Sequence, residues 1–224
     1  THDQTRELFA RVNGSYIRRA QNGSPVFHID GYAEIRKGLD IFSASETGKV
    51  AGGFAPSRFE GDPMATVIRG EIDTGVALVP GLLSIDAQLF GQWANHALLN
   101  LDEFSIGNFT FGRGYDPGAN GGDRAIAGRI EPRVTLGTIG PVRLEATGFA
   151  DVVGIWNLDK SAGLEAKRSF LSVGGGLRAI LPGCGVLDIT YAKPLDKALT
   201  FDKARPTERV LVSLTTKLWP WGVR

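Results

Sequence analysis

Apolar and polar residues alternate with a period of two along most of this chain. In residues 65–78 the charged side chains Arg69, Glu71 and Asp73 share one face, while Ile68, Ile72, Val76 and Leu78 share the other. Residues 142–151 repeat the scheme, with Arg143, Glu145, Thr147 and Asp151 opposite Val142, Leu144, Ala146 and Ala150. Residues 124–136 set Arg129, Glu131, Arg133 and Thr135 against Ile126, Ile130 and Val134. Residues 208–219 do the same with Arg209, Ser213, Thr215 and Lys217 against Val210, Val212, Leu214 and Leu218. Successive side chains of a strand point to opposite faces, so the pattern predicts strands and not helices. Ten such segments are predicted, beginning near Glu7, Val26, Thr66, Leu83, Phe104, Arg124, Val142, Ser169, Val186 and Glu208. Glycine and proline, 30 and 11 of the 224 residues, punctuate the chain between them.

Two architectures share this pattern. A soluble sandwich turns the apolar face inward and uses strands of about five or six residues. A transmembrane barrel turns the apolar face to lipid, lines its lumen with polar side chains and needs strands of about 9 to 11 residues. The segments here are long, and their polar faces mix acids with bases, as expected of a lumen filled by its own ion pairs. The turns at residues 137–141 and 182–185 are short. Trp93, Trp156, Trp219 and Trp221 stand near segment ends, where they suit interfacial belts as well as they suit a core. The expected fold class is therefore all-β, an antiparallel transmembrane β-barrel occupying residues 1–224.

Composition narrows the functions. Hydrophobic residues make up 42% of the chain, yet no run approaches the roughly 20 apolar residues of a spanning helix. The net charge of +1, with both signs interspersed, leaves no electrostatic footprint for nucleic acid. Cys184, alone of its kind, excludes an internal disulfide and reads as a turn residue beside Pro182, Gly183 and Gly185. His2, His28 and His96 are scattered, without metal-ligand spacing. No nucleophile elbow is present, so no catalytic residue, metal or cofactor is expected. A lipid-modifying barrel hydrolase, which needs only a serine, a base and an orienting group on one rim, is the enzymatic alternative. The chain opens on Thr1 without a leader, which suits a mature product or a fragment.

One stretch stands apart: FTFGRGYDPGANGGDR, residues 109–124. An arginine between two glycines suggests a phosphate cradle, but Gly112-Arg113-Gly114 lacks the lysine and hydroxyl of a phosphate loop.

The segment GRGYDPG, residues 112–118, resembles the arginine-glycine-aromatic tip of the long sixth extracellular loop of two-partner secretion transporters. These are hemolysin secretion and activation proteins, relatives of the BamA insertase. Phe90-Gly91-Gln92-Trp93, Leu98-Leu99 and Glu103-Phe104-Ser105-Ile106-Gly107 resemble the approach to that loop. Ile130-Glu131-Pro132-Arg133 sits where the family has a glutamate-containing strand. Gly148-Phe149-Ala150-Asp151-Val152-Val153-Gly154 is similar to its aromatic-x-aspartate motif, and Gly38-Leu39-Asp40-Ile41-Phe42 adds a weaker echo.

The resemblance implies a sixteen-strand barrel whose loop joins the eleventh strand to the twelfth. The predicted segments then become the last ten strands, with a signal peptide, periplasmic POTRA domains and six strands outside this chain. On that count the polar connection of residues 40–64 falls at a periplasmic turn. The resemblance further implies an outer-membrane pore that carries a partner exoprotein of hemolysin or adhesin type to the cell surface. Its partners would be the secreted protein, outer-membrane lipid and the N-terminal POTRA and barrel portion of the same transporter. No covalent chemistry is implied, and the chain is not expected to be an enzyme. The loop tip Gly112, Arg113, Gly114 and Tyr115 would fold inward, with the glycines allowing a tight turn and Tyr115 packing on the wall. Asp151, in phase with Arg143 and Glu145 on the lumen face, is the expected partner of Arg113. Glu131 is the second candidate, and Phe149 and Gly154 complete the lumen set. The plainer reading of Arg113 is a loop salt bridge contributing under about 1 kcal/mol. The functional alternatives are a barrel that inserts other outer-membrane proteins, a passive porin, or a scaffold barrel in a surface complex.

Overall fold

Long strands following one another as antiparallel neighbours build a single curved sheet. The computed structural model describes residues 3–50, 54–107, 109–159, 166–183, 185–198 and 202–216. His2, Cys184, Lys217, Leu218, Trp219 and Trp221 lie outside the described residues. The strands are β1 (Glu7–Arg19), β2 (Pro25–Gly38), β3 (Thr66–Val79), β4 (Leu83–Ala94), β5 (Phe104–Ser105), β6 (Gly121–Gly122), β7 (Arg124–Ile139), β8 (Val142–Trp156), β9 (Lys167–Leu181), β10 (Gly185–Pro194) and β11 (Arg209–Thr216). Nine of them form the sheet, in the order β1-β2-β3-β4-β7-β8-β9-β10-β11.

The sheet's two faces follow the alternation. Ile68, Ile72, Val76, Ile126, Ile130, Val134, Val210, Val212 and Leu214 are exposed on the convex face. Glu34, Gln92, Glu131, Glu145, Asp151 and Ser172 are buried on the concave one. A soluble sandwich would reverse these environments. Ion pairs cross between neighbouring strands on the concave face, among them Arg133 with Asp86 at 3.0 Å and Arg178 with Asp188 at 2.6 Å. Trp93 and Trp156 both point outward near the same end of the sheet, where Arg124 lies over Trp93 at 5.2 Å and Lys167 over Trp156 at 5.4 Å.

The strand expected from Phe104 is missing from the sheet. Phe104–Ser105 pairs only with Gly121–Gly122, forming a two-stranded clip inside a loop. Strand β4 pairs directly with β7, so the long loop begins just after Ala94. Its apolar side chains alternate because they pack on a wall, which imitates a strand in sequence. In an antiparallel meander each strand reverses direction, so removing one strand reverses the side of every earlier connection. Residues 39–65 therefore lie at the same end as the long loop, opposite to the periplasmic placement expected from ten strands. At the other end the connections are short, residues 20–24, 80–82 and 140–141.

Candidate functional site: the loop held in the lumen

Residues 95–123 leave β4 and return to β7 across the concave face. Four of their side chains, Phe104, Ile106, Phe111 and Tyr115, join a buried cluster with Phe90 of β4, Ala125 and Ala127 of β7, Val153 and Ile155 of β8, and Phe170 of β9. The rings interlock, with Phe90 stacked on Phe104 at 5.1 Å and Tyr115 edge-on to Phe170 at 5.3 Å. Small residues at 125 and 127 leave the hollow that the loop fills. A loop of this composition would expose an apolar patch if it swung into water, so burial holds it down.

At the tip, Gly112 adopts φ of 72°, a left-handed conformation that costs glycine nothing. This turn aims Arg113 at the wall. Arg113 donates to Asp151 through its backbone N–H at 3.0 Å, Nε at 3.1 Å and Nη2 at 2.9 Å. Its Nη1 donates to Glu131 at 2.7 Å. The Ser172 hydroxyl donates to Asp151 at 3.3 Å, and the guanidinium lies over the Phe149 ring at 3.6 Å. Asp151 is fully buried and the Arg113 side chain is 7% exposed. Burial alone would lower the Arg113 pKa, but Asp151 and Glu131 outweigh it and raise the value above the ordinary one. The arginine is locked in its charged form. Glu131 is held in turn by Arg133 at 3.0 Å.

Tyr115 anchors the other side of the tip. Its hydroxyl donates to the Leu171 carbonyl at 3.0 Å and accepts from the Asp196 N–H at 3.1 Å. Between the two anchors, Gly114 packs so closely that a Cβ would meet the Pro194 nitrogen at 2.6 Å. Of the residues expected from sequence, Gly112, Arg113, Gly114, Tyr115, Glu131, Phe149 and Asp151 come together in the lumen. Gly154 does not. Three positions from Asp151 on a period-two strand, it faces outward, beneath the Trp156 ring and beside Ile126.

A second buried cluster was not legible in the sequence. Arg58, from the 39–65 connection, meets Asp123 at 2.5 Å and Glu103 at 2.8 Å, near the two ends of the loop. Around it, the Asp62 N–H donates to the Ala97 carbonyl at 2.8 Å and the Asn100 N–H to the Ser57 hydroxyl at 3.1 Å. Asp123 stands immediately before β7, and that position at a strand root is the one sequence signal that could have singled it out.

With this geometry in view, the Omp85 superfamily domain matches residues 66–212, well over half of the chain. The chain belongs to the Omp85 superfamily. This Omp85 chain is an outer-membrane β-barrel protein, so its convex apolar face meets lipid. In such barrels the short turns are periplasmic and the long loops extracellular, which places residues 39–65 and 95–123 at the cell surface. Among solved structures, CdiB from Escherichia coli matches with a TM-score of 0.69 and 14% sequence identity. The match covers 95% of this chain and 36% of that one, so the Omp85 chain spans about a third of its length. No curated protein matches the chain at the level of sequence.

Proposed function

We propose that this chain is the C-terminal barrel portion of an outer-membrane transporter that carries a partner exoprotein, of hemolysin or adhesin type, from periplasm to cell surface. The POTRA domains and the remaining strands would come from the rest of the same polypeptide. The nine sheet strands among the described residues, in place of the ten expected, would be the last nine of sixteen. The coverage of about a third of CdiB supports that division, as do the free edges of β1 and β11 among the described residues, which lipid cannot satisfy.

The observation that carries the reading is the buried contact of Arg113 with Asp151 and Glu131. It holds a charged loop tip against the concave face, which on this reading lines the conduit for cargo. The loop is read as an inward plug, latched to the wall by the Arg113 ion pairs and seated by its buried apolar side chains. The test is secretion of the exoprotein by Arg113→Ala and Asp151→Ala variants whose barrels assemble normally. Loss of secretion is expected in both. Normal secretion in both overturns the reading. Failure to insert other outer-membrane proteins would point to an assembly barrel, and ion conduction indifferent to cargo would point to a porin.

A further inference from the structure

Arg58 lies far from the loop tip, yet its guanidinium touches both roots of the long loop. Its Nη1 donates to the Leu98 carbonyl at 2.9 Å, to Glu103 at 2.8 Å and to Asp123 at 2.5 Å, while Nη2 reaches Asp123 at 3.3 Å. Asp123, fully buried, also accepts the N–H of Leu98 at 2.7 Å and that of Leu158 at 2.6 Å. Leu158 belongs to the connection after β8, whose Asp159 faces Arg58 at 3.7 Å. Three extracellular connections thus converge on one arginine–carboxylate pair.

We infer that Arg58 is a positioning residue that fastens the roots of the inward loop to the two neighbouring extracellular connections, so that the cap over the lumen opens only when this junction is undone. The inference rests on the reading of the loop as a plug. Removing Arg58 leaves Asp123 buried without its charge partner, and one partner of a buried pair is costly to strand. The hydrogen bonds share their atoms, so they are lost together and not one by one.

The junction also carries a proton-sensitive group. Glu103 faces Arg58 from the 39–65 connection, Asp123 from its own loop and Asp159 from the connection after β8. Burial, with Asp123 and Asp159 adding to it against the pull of Arg58, pushes the Glu103 carboxyl up to about 7. A carboxyl raised in the closed cap binds its proton more tightly there than in an open one. Closure is therefore strongest below the usual 4.5 and weakens as pH rises through about 7.

The experiment is single-channel recording on the full-length transporter in planar bilayers, without cargo. Arg58→Ala should raise the opening frequency at least about tenfold, with Arg58→Lys in between, because a lysine keeps the charge but loses the forked contact. The wild-type protein should open more often at pH 8 than at pH 5, and Glu103→Gln should stay near the acid level throughout. Wild-type openings in an assembled Arg58→Ala protein overturn the inference. If that variant fails to assemble, Glu103→Gln decides: an unchanged pH profile overturns it and a flat one supports it. Arg113→Ala is recorded alongside. More openings there but not in Arg58→Ala would refute the junction and spare the plug, and no change in either would refute both.

Discussion

Arg113 and Asp151 are joined three times over, by a backbone N–H and two guanidinium nitrogens reaching one carboxylate at 2.9–3.1 Å. Because one of these donors is main chain, the contact fixes the path of the loop as well as the direction of one side chain. Asp151→Ala removes all three at once and leaves Arg113 with Glu131 alone. Losing one partner of a buried pair costs about 3–5 kcal/mol. The variant should lose its heat-resistant folded band at a clearly lower temperature. Arg113→Lys should fall between wild type and Arg113→Ala, since lysine cannot grip the carboxylate with a fork.

Glu131→Gln should be milder than Asp151→Asn, because Glu131 takes one Arg113 nitrogen and retains Arg133 as a neighbour. In the double variant the two effects should not add, since both act through one guanidinium. Thermal melting of the four proteins gives the coupling directly.

Tyr115→Phe keeps the ring against Phe170 and removes the hydroxyl that pairs with Leu171 and Asp196. A buried partner left unsatisfied costs about 1–3 kcal/mol. Tyr115→Ala, which also empties a fully buried site, should cost about 3–5 kcal/mol. Gly114→Ala should unseat the tip despite its small size, because its Cβ would meet backbone at 2.6 Å. Protease cleavage within the loop reads out all three.

Asp102, in the loop just after β4, is pushed up to about 6 by burial and then by Glu7, while Arg69 and Arg36 pull the other way. An acid raised on folding contributes stability that is present below its usual 3.8 and lost as pH rises through about 6. Asp102→Asn should therefore stabilise the barrel at pH 8, and by a smaller amount at pH 5, which lies between the two values. Melting at the two pH values checks the sign.

An epitope inserted at Thr47 should be reached by antibody on intact cells. The ten-strand count from sequence predicts the opposite side, so the result discriminates between the two topologies.

Much of the wall was legible because alternation is a local signal. Ile68 and Arg69 declare opposite faces without reference to any distant residue, and the structure keeps them so. The inward loop was harder. Phe104 and Ile106 are spaced like the apolar face of a strand, and only their packing in one cluster with Phe90 and Ile155 reveals that they lie on a wall. The pairing of Arg58 with Asp123 spans 65 residues, and neither residue carries a local pattern that announces the other. Gly154 shares a motif with Asp151, but an odd separation on a strand puts the two residues on opposite faces.

The footprint of the loop has a mechanical consequence. It is rooted between β4 and β7, latched to β7 and β8 through Arg113, packed on β9 through Phe170, and tied beyond β10 through Asp196. Strands pinned together from inside bend as one plate, so this arc is the stiff sector of the cylinder. Breathing of the wall falls to the strands on either side of it, and the plate becomes compliant only when its internal brace is withdrawn.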